Sequence, residues 1–241
     1  MFSSEGPSLA ELARQALSSV EDGYDLLAPK FDNTPFRTPD GVLDATVDQL
    51  RPLGPFGRGL DVCTGTGAGM RVLRSVCQGQ ITGVDFSTGM LAEARRAHPG
   101  AGWVRADVRA LPFAEGFDVA VSFGALGHFL PTERPTLFDG VYRALRPGGL
   151  FAFPVAAPLP VTSIGYWALL GFDLAMRVRN ALRDPPFVMY YLTCPLDAVR
   201  RDLAASGFTV TAVPLAALGQ RQDGSPRCWL VLARKASTSS P

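Results

Sequence analysis

The chain has 241 residues, enough for one large domain with an ample core, and its 47% apolar and 19% charged residues make it globular rather than disordered. A net charge of +1 excludes a broadly basic nucleic-acid surface. The four scattered cysteines include no C-x-x-C pair, which excludes a zinc ribbon and suits a reducing cytoplasm.

The N-terminus lacks a basic start ahead of an apolar core, so it does not read as a secretion signal. Ser8, with Glu11 three residues on, has capping-box spacing and predicts a first helix over 8–20. The turn-rich "DNTPFRTPDG" leads to a second helix near 40–51, so residues 1–57 read as an N-terminal helical cap. Strand and helix signals then alternate. "GLDVC" is strand 1, with a helix from Gly69 to Cys77; "QITGVDF" is strand 2, with a helix from Ser87 to His98. "GWVRADV", "FDVAVSFGA" and "GLFAFPV" follow as strands, the last two joined through a helix from Pro135 to Leu145. This alternation implies a largely parallel sheet with helices on both faces, which binds ligands beyond the carboxyl ends of its strands.

Phe151 to Phe172 carries no charge and is long enough to span a bilayer, but Pro154, Pro158 and Pro160 favour a buried strand followed by a greasy helix. No stable membrane insertion is expected. Residues 155–193 form an apolar insertion that ends in an arginine-bearing stretch. "CPLDAVRRDLAASGF" reads as a helix closed by Gly207, and "TVTAVPLAAL" and "RCWLVLARK", parted by "QRQDGSP", read as a terminal antiparallel pair. Residues 236–241 read as a disordered tail. The fold class is therefore α/β, Rossmann-like: a mostly parallel seven-stranded sheet with an antiparallel strand at its end.

The turn "LDVCTGTGAG" at 60–69 belongs to a type that holds a dinucleotide, a nucleotide phosphate or S-adenosylmethionine. A dinucleotide fingerprint puts its third glycine at position 70, where this chain has Met70, and a phosphate loop needs a lysine that is absent. Asp85 closes strand 2, where it can accept ribose hydroxyls in either of the remaining cases. Asp107 ends strand 3 beside it and can accept from an adenine amino group. Two carboxylates at adjacent strand ends suit an adenosyl ligand and repel a pyrophosphate, which favours S-adenosylmethionine.

Taken together, "LDVCTGTG", "GVDFSTGML", "RADVRALPF", "FDVAVSFGALGHF" and "VYRALRPGGLFAF" resemble the class I S-adenosylmethionine-dependent methyltransferases, within them the branch of ubiquinone and menaquinone biosynthesis C-methyltransferases. They cover about residues 58–154, in family order, within a methyltransferase domain over 58–235. The resemblance implies that Gly65, Thr66 and Gly67 lie against the methionine part of the cofactor and that Asp61 positions its amino group. It implies Asp85 on the ribose, Phe86 and Met90 near the adenine, Asp107 and the Val108 backbone on the adenine edge, and Ser122 near the reacting methyl. Cys63 stands where many members carry a glycine, and reads as a small packing residue.

His128, after strand 4, is the candidate general base, with a structural loop bond as its other role; His98, at a helix end, is expected to be exposed. Tyr166, Trp167, Tyr190 and Tyr191 in the insertion are candidate walls of an acceptor pocket. The expected activity is methyl transfer to a small, hydrophobic or aromatic acceptor at carbon or oxygen, in the cytoplasm, with no metal and no nucleic-acid partner. The alternatives are an NAD-linked oxidoreductase and a non-catalytic S-adenosylmethionine-binding protein.

Overall fold

The computed structural model describes residues 6–8, 11, 20–34, 36–159, 161–164, 166, 167, 170, 171, 174, 178 and 194–237. After helices α1 (Val20–Leu27) and α2 (Asp40–Leu50), β1 (Gly59–Val62), α3 (Ala68–Val76), β2 (Ile81–Asp85), α4 (Thr88–Ala97) and β3 (Gly102–Arg105) alternate. β4 (Phe117–Val121), α5 (Arg134–Ala144), β5 (Leu145–Ala156), α6 (Leu196–Ala205), β6 (Phe208–Pro214) and β7 (Cys228–Lys235) complete the described order.

The seven strands form one sheet in the order β3-β2-β1-β4-β5-β7-β6. β1 to β5 run parallel, and β7 runs antiparallel to both its neighbours. All four residues of β1, including Asp61, are buried, as expected of a strand covered on both faces. Phe138 and Val141 of α5 pack with Val199 and Leu203 of α6 and with Leu60 and Val62 on one face. On the other, Leu43 and Leu50 of α2 pack with Met70 and Leu73 of α3, Val119 and Val121. β1 is the switch point: the chain steps to β2 on one side and to β4 on the other. The carboxyl ends of β1, β2, β4 and β5 therefore open on one edge, where parallel sheets carry their ligands.

From α2 to β7 the expected elements among the described residues stand within a few residues of their sequence-read limits, while most of the apolar insertion lies outside the described residues. Two differences are instructive. β5 begins at Leu145, so the "RPGG" read as a turn lies inside the strand. The register between β4 and β5 shifts between Phe117 and Val119, and Gly148 takes φ 77°, so the extra residues are absorbed as a bulge. The second difference is α1 and the 3-10 turn after it, Ala28–Asn33, in a stretch where the sequence pattern marked no element. Of the first predicted helix, the capping box is present: the Ser8 N–H donates to Glu11 Oε2 at 2.7 Å and the Glu11 N–H to Ser8 Oγ at 3.3 Å. Residues 9, 10 and 12–19 lie outside the described residues, as do 238–241 of the tail. Phe151 to Ala156 form the end of β5, with Phe151, Ala152, Phe153 and Val155 buried, and among the described residues no helix is long and apolar enough to cross a membrane.

Candidate active site

The turn from β1 into α3 visits the left-handed region at every second residue: Cys63 at φ 56°, Gly65 at φ 53° and Gly67 at φ 101°. A Cβ on Gly65 would meet nothing within 4 Å, so the missing side chain leaves this backbone open to a ligand. The third glycine answers a different need. A Cβ on Gly69 would lie 2.2 Å from Asp61 Oδ1, so Gly69 lets the buried carboxylate reach the first turn of α3. Thr64 Oγ1–H donates to Asp61 Oδ2 at 2.6 Å, and the Gly69 N–H donates to the same carboxylate. Burial nevertheless pushes Asp61 up to about 7, aided by the nearby charge of Asp85.

Asp85 ties two turns together. Its Oδ2 accepts the Gly65 N–H at 2.9 Å and its Oδ1 accepts the Ser87 N–H at 3.0 Å. Burial raises its pKa against these bonds. A carboxylate oxygen accepts more than one bond, so both oxygens keep capacity for ribose hydroxyls. The Met90 N–H donates to the Ser87 hydroxyl at 3.1 Å, capping α4, and the Met90 side chain is buried.

Asp107 stands at the end of β3 and caps the short 3-10 turn Val108–Ala110 by accepting the Arg109 N–H at 2.9 Å. The Arg109 side chain folds back on it, with Nε 3.0 Å and Nη2 2.7 Å from Oδ2, and holds its carboxyl below the usual range. Val108 is buried beneath this turn, and Ser122, also buried, follows β4 with its N–H bonded to the Ala152 carbonyl at 3.3 Å. The expected cofactor residues thus gather on one edge.

The N-terminal segment closes over that edge, which local sequence patterns did not reveal. Tyr24 sets its ring edge-on to Phe86 at 6.2 Å and to His128 at 6.0 Å, and its hydroxyl is 3.1 Å from His128 Nε2. Asp25 Oδ1 accepts from Ser87 Oγ at 2.5 Å and from the Gly89 N–H at 2.8 Å. Asp32 Oδ1 accepts the Thr66 hydroxyl at 2.8 Å, and Glu21 pairs with Arg105. The one available signal was composition: "VEDGYDLL" pairs acids with a single aromatic just ahead of the glycine turn.

Burial pushes His128 down to about 4, so the imidazole is neutral at physiological pH. His98, expected to be exposed, is half-buried instead: α4 ends beside the glycine turn, where a Cβ on Gly67 would lie 2.7 Å from its ring. Of the candidate acceptor residues, the described pair Tyr166 and Trp167 stand together at the surface. Trp167 is 61% exposed, its indole N–H donates to the Val161 carbonyl at 2.8 Å, and Tyr166 packs edge-on against it. Tyr190 and Tyr191 lie outside the described residues.

Residues 60–149 match the family described as "Methyltransferase domain". The chain is 42% identical over 152 residues to the ubiquinone/menaquinone biosynthesis C-methyltransferase UbiE of Desulfotalea psychrophila, covering 62% of this chain and 53% of that protein. It is 32% identical over 165 residues to the demethylmenaquinone methyltransferase of Thermus thermophilus, covering 63% of this chain and 74% of the relative. The chain thus spans about half the length of the first relative and three quarters of the second. Among solved structures, the complex of DhpI with SAH superposes with a TM-score of 0.65 at 18% identity, over 95% of this chain and 99% of that one. Human N-acetylserotonin methyltransferase in complex with SAM gives 0.58 at 16% identity, over 90% and 57%. At such identities the likeness concerns the fold.

Proposed function

Because the chain belongs to the class I S-adenosylmethionine-dependent methyltransferases, we propose that it transfers a methyl group from this cofactor to a small, hydrophobic acceptor of the quinone-precursor kind, at carbon or oxygen. The observation that carries the reading is the row of three carboxylates, Asp61, Asp85 and Asp107, at successive strand ends around a glycine turn whose backbone is open at Gly65. Two relatives named for quinone methylation, at 42% and 32% identity, favour the acceptor class.

When bound, S-adenosylmethionine supplies an electrophilic methyl on a sulfonium sulfur. The protein's task is alignment and exclusion of water. In this reading Asp61 receives the ammonium of the methionine part, and Gly65 and Gly67 lie along its backbone. Asp85 receives the ribose hydroxyls, Asp107 and the Val108 N–H the adenine edge, and Phe86 and Met90 its faces. Ser122 lines the end of β4 near the acceptor side. A group with a pKa of about 4 is a weak base at pH 7. His128 therefore acts by position, sharing a hydrogen bond with the Tyr24 hydroxyl and joining the N-terminal segment to the loop after β4. Tyr166, Trp167, Tyr190 and Tyr191 are proposed for the acceptor side, and the four free thiols favour the cytoplasm.

Calorimetric titration with S-adenosylhomocysteine and with NAD tests the cofactor; binding of NAD without S-adenosylhomocysteine overturns the reading. Incubation of a cell extract with cofactor labelled in its methyl group tests turnover and acceptor class. A labelled apolar small molecule is expected; label confined to protein or nucleic acid overturns the acceptor assignment.

A further inference from the structure

Arg109 reaches two segments with one guanidinium. Its Nε lies 3.0 Å from each Asp107 oxygen and its Nη2 2.7 Å from Oδ2, while Nη1 lies 3.0 Å from Glu133 Oε1. Glu133 in turn accepts the Leu130 N–H through Oε2 at 2.9 Å, in the loop between His128 and α5. The fork therefore spans the end of β3, where the adenine edge is expected, and the loop that follows His128. Roughly half of the Arg109 side chain is exposed, so the pairing adds little to folding stability. What it supplies is geometry: a planar five-donor fork fixes the plane of a half-exposed carboxylate that is otherwise held by one backbone bond, from the Arg109 N–H to Oδ1.

We infer that Arg109 is a positioning residue for adenine recognition: it holds Asp107 in the ionised form and orientation that accepts the adenine amino group. This rests on the cofactor assignment above. A fixed carboxylate accepts from the amino group of adenine and repels the carbonyl oxygen that replaces it in hypoxanthine, so Arg109 governs discrimination between the two bases. Four groups bear on the charge of Asp107. Arg109 on its own turn lowers its pKa; the Cys63 thiol, at the end of β1, feels the charge of Asp107; Asp85 stands at the neighbouring strand end, its carbonyl bonded to the Ala106 N–H; and Glu133 competes for Arg109. Without the Arg109 side chain, only the backbone N–H of residue 109 opposes the partial burial of Asp107, and the pH at which it takes up a proton rises.

The test compares wild type, Arg109→Gln and Arg109→Lys. Affinities are measured for S-adenosylhomocysteine and S-inosylhomocysteine, and for 5′-methylthioadenosine from pH 4.5 to 7. The last probe lacks the amino-acid end that faces Asp61. Arg109→Gln is expected to weaken S-adenosylhomocysteine about tenfold and to shrink its preference over the inosyl analogue by a similar factor. In this variant methylthioadenosine affinity falls severalfold more on acidification than in wild type. Lysine restores charge but not the fork, and recovers the pH profile better than the base preference. If Arg109→Gln keeps the wild-type base preference and pH profile and merely melts lower, the inference is overturned. Failure of wild type to bind S-adenosylhomocysteine at all identifies the cofactor assignment as the error instead.

Discussion

Two residues at the start of the glycine turn carry consequences out of proportion to their size. Asp61 titrates at about 7 in the folded chain, above the ordinary carboxyl value of about 3.9 in an unfolded one. Between those limits the folded state keeps a proton that the unfolded state has lost, so Asp61 lowers stability as pH rises across that window. A ligand ammonium favours the ionised form. S-adenosylhomocysteine should therefore bind more tightly as pH rises from 6 to 8, with each unit below about 7 costing up to tenfold from this group. Titration calorimetry of wild type and Asp61→Asn checks this: the variant should bind weakly, with the Asp61 contribution to the pH profile gone. Cys63 is the other residue. A side chain in the left-handed region costs about 1–2 kcal/mol, and the thiol is tolerated because it is small and unbranched. Cys63→Gly should unfold within about 1 kcal/mol of wild type, since relief of strain offsets lost packing, whereas Cys63→Val should lose about 2 kcal/mol or more in urea denaturation.

Among elements, α1 is the one whose task is tertiary. Asp25 joins it to the start of α4 through Ser87 and Gly89, Tyr24 joins it to the loop after β4, and Asp32 in the following turn meets Thr66. Asp25→Ala removes the acceptor of two bonds at the rim of the expected adenosyl site. It should raise the dissociation rate of S-adenosylhomocysteine about tenfold in stopped-flow measurements, while far-ultraviolet circular dichroism stays unchanged. None of these partnerships was legible in the sequence, because the contacts join residues 34–104 positions apart and Gly23 and Pro29 interrupt the local helical pattern. The other elements were legible for the converse reason. Gly and Pro punctuate the ends of β1, α4 and α6, and strand-length stretches of β-branched, aromatic and apolar residues mark β2 and β4, so the signal was local. The carboxylates at strand ends were readable from position alone, whereas the engagement of Asp107 by Arg109 depends on a side-chain direction that spacing does not specify.

At the scale of the whole molecule, the strand order divides the sheet at β1. β2 and β3 lie to one side; β4, β5, β7 and β6 lie to the other. The alternation of strands and helices was enough to recognise the parallel sheet, while the bulge that brings Gly148 and Gly149 inside β5 was invisible to it. The carboxylates, the glycine turn and the N-terminal segment all belong to residues 21–133. β5 contributes none of them, yet its carboxyl end opens on the same edge, and residues 157–193 depart from there. On the proposed assignment, donor handling and acceptor choice fall to separate stretches of one gene, so a lineage could rewrite the stretch after β5 and acquire a new acceptor without relearning how to hold the methyl source.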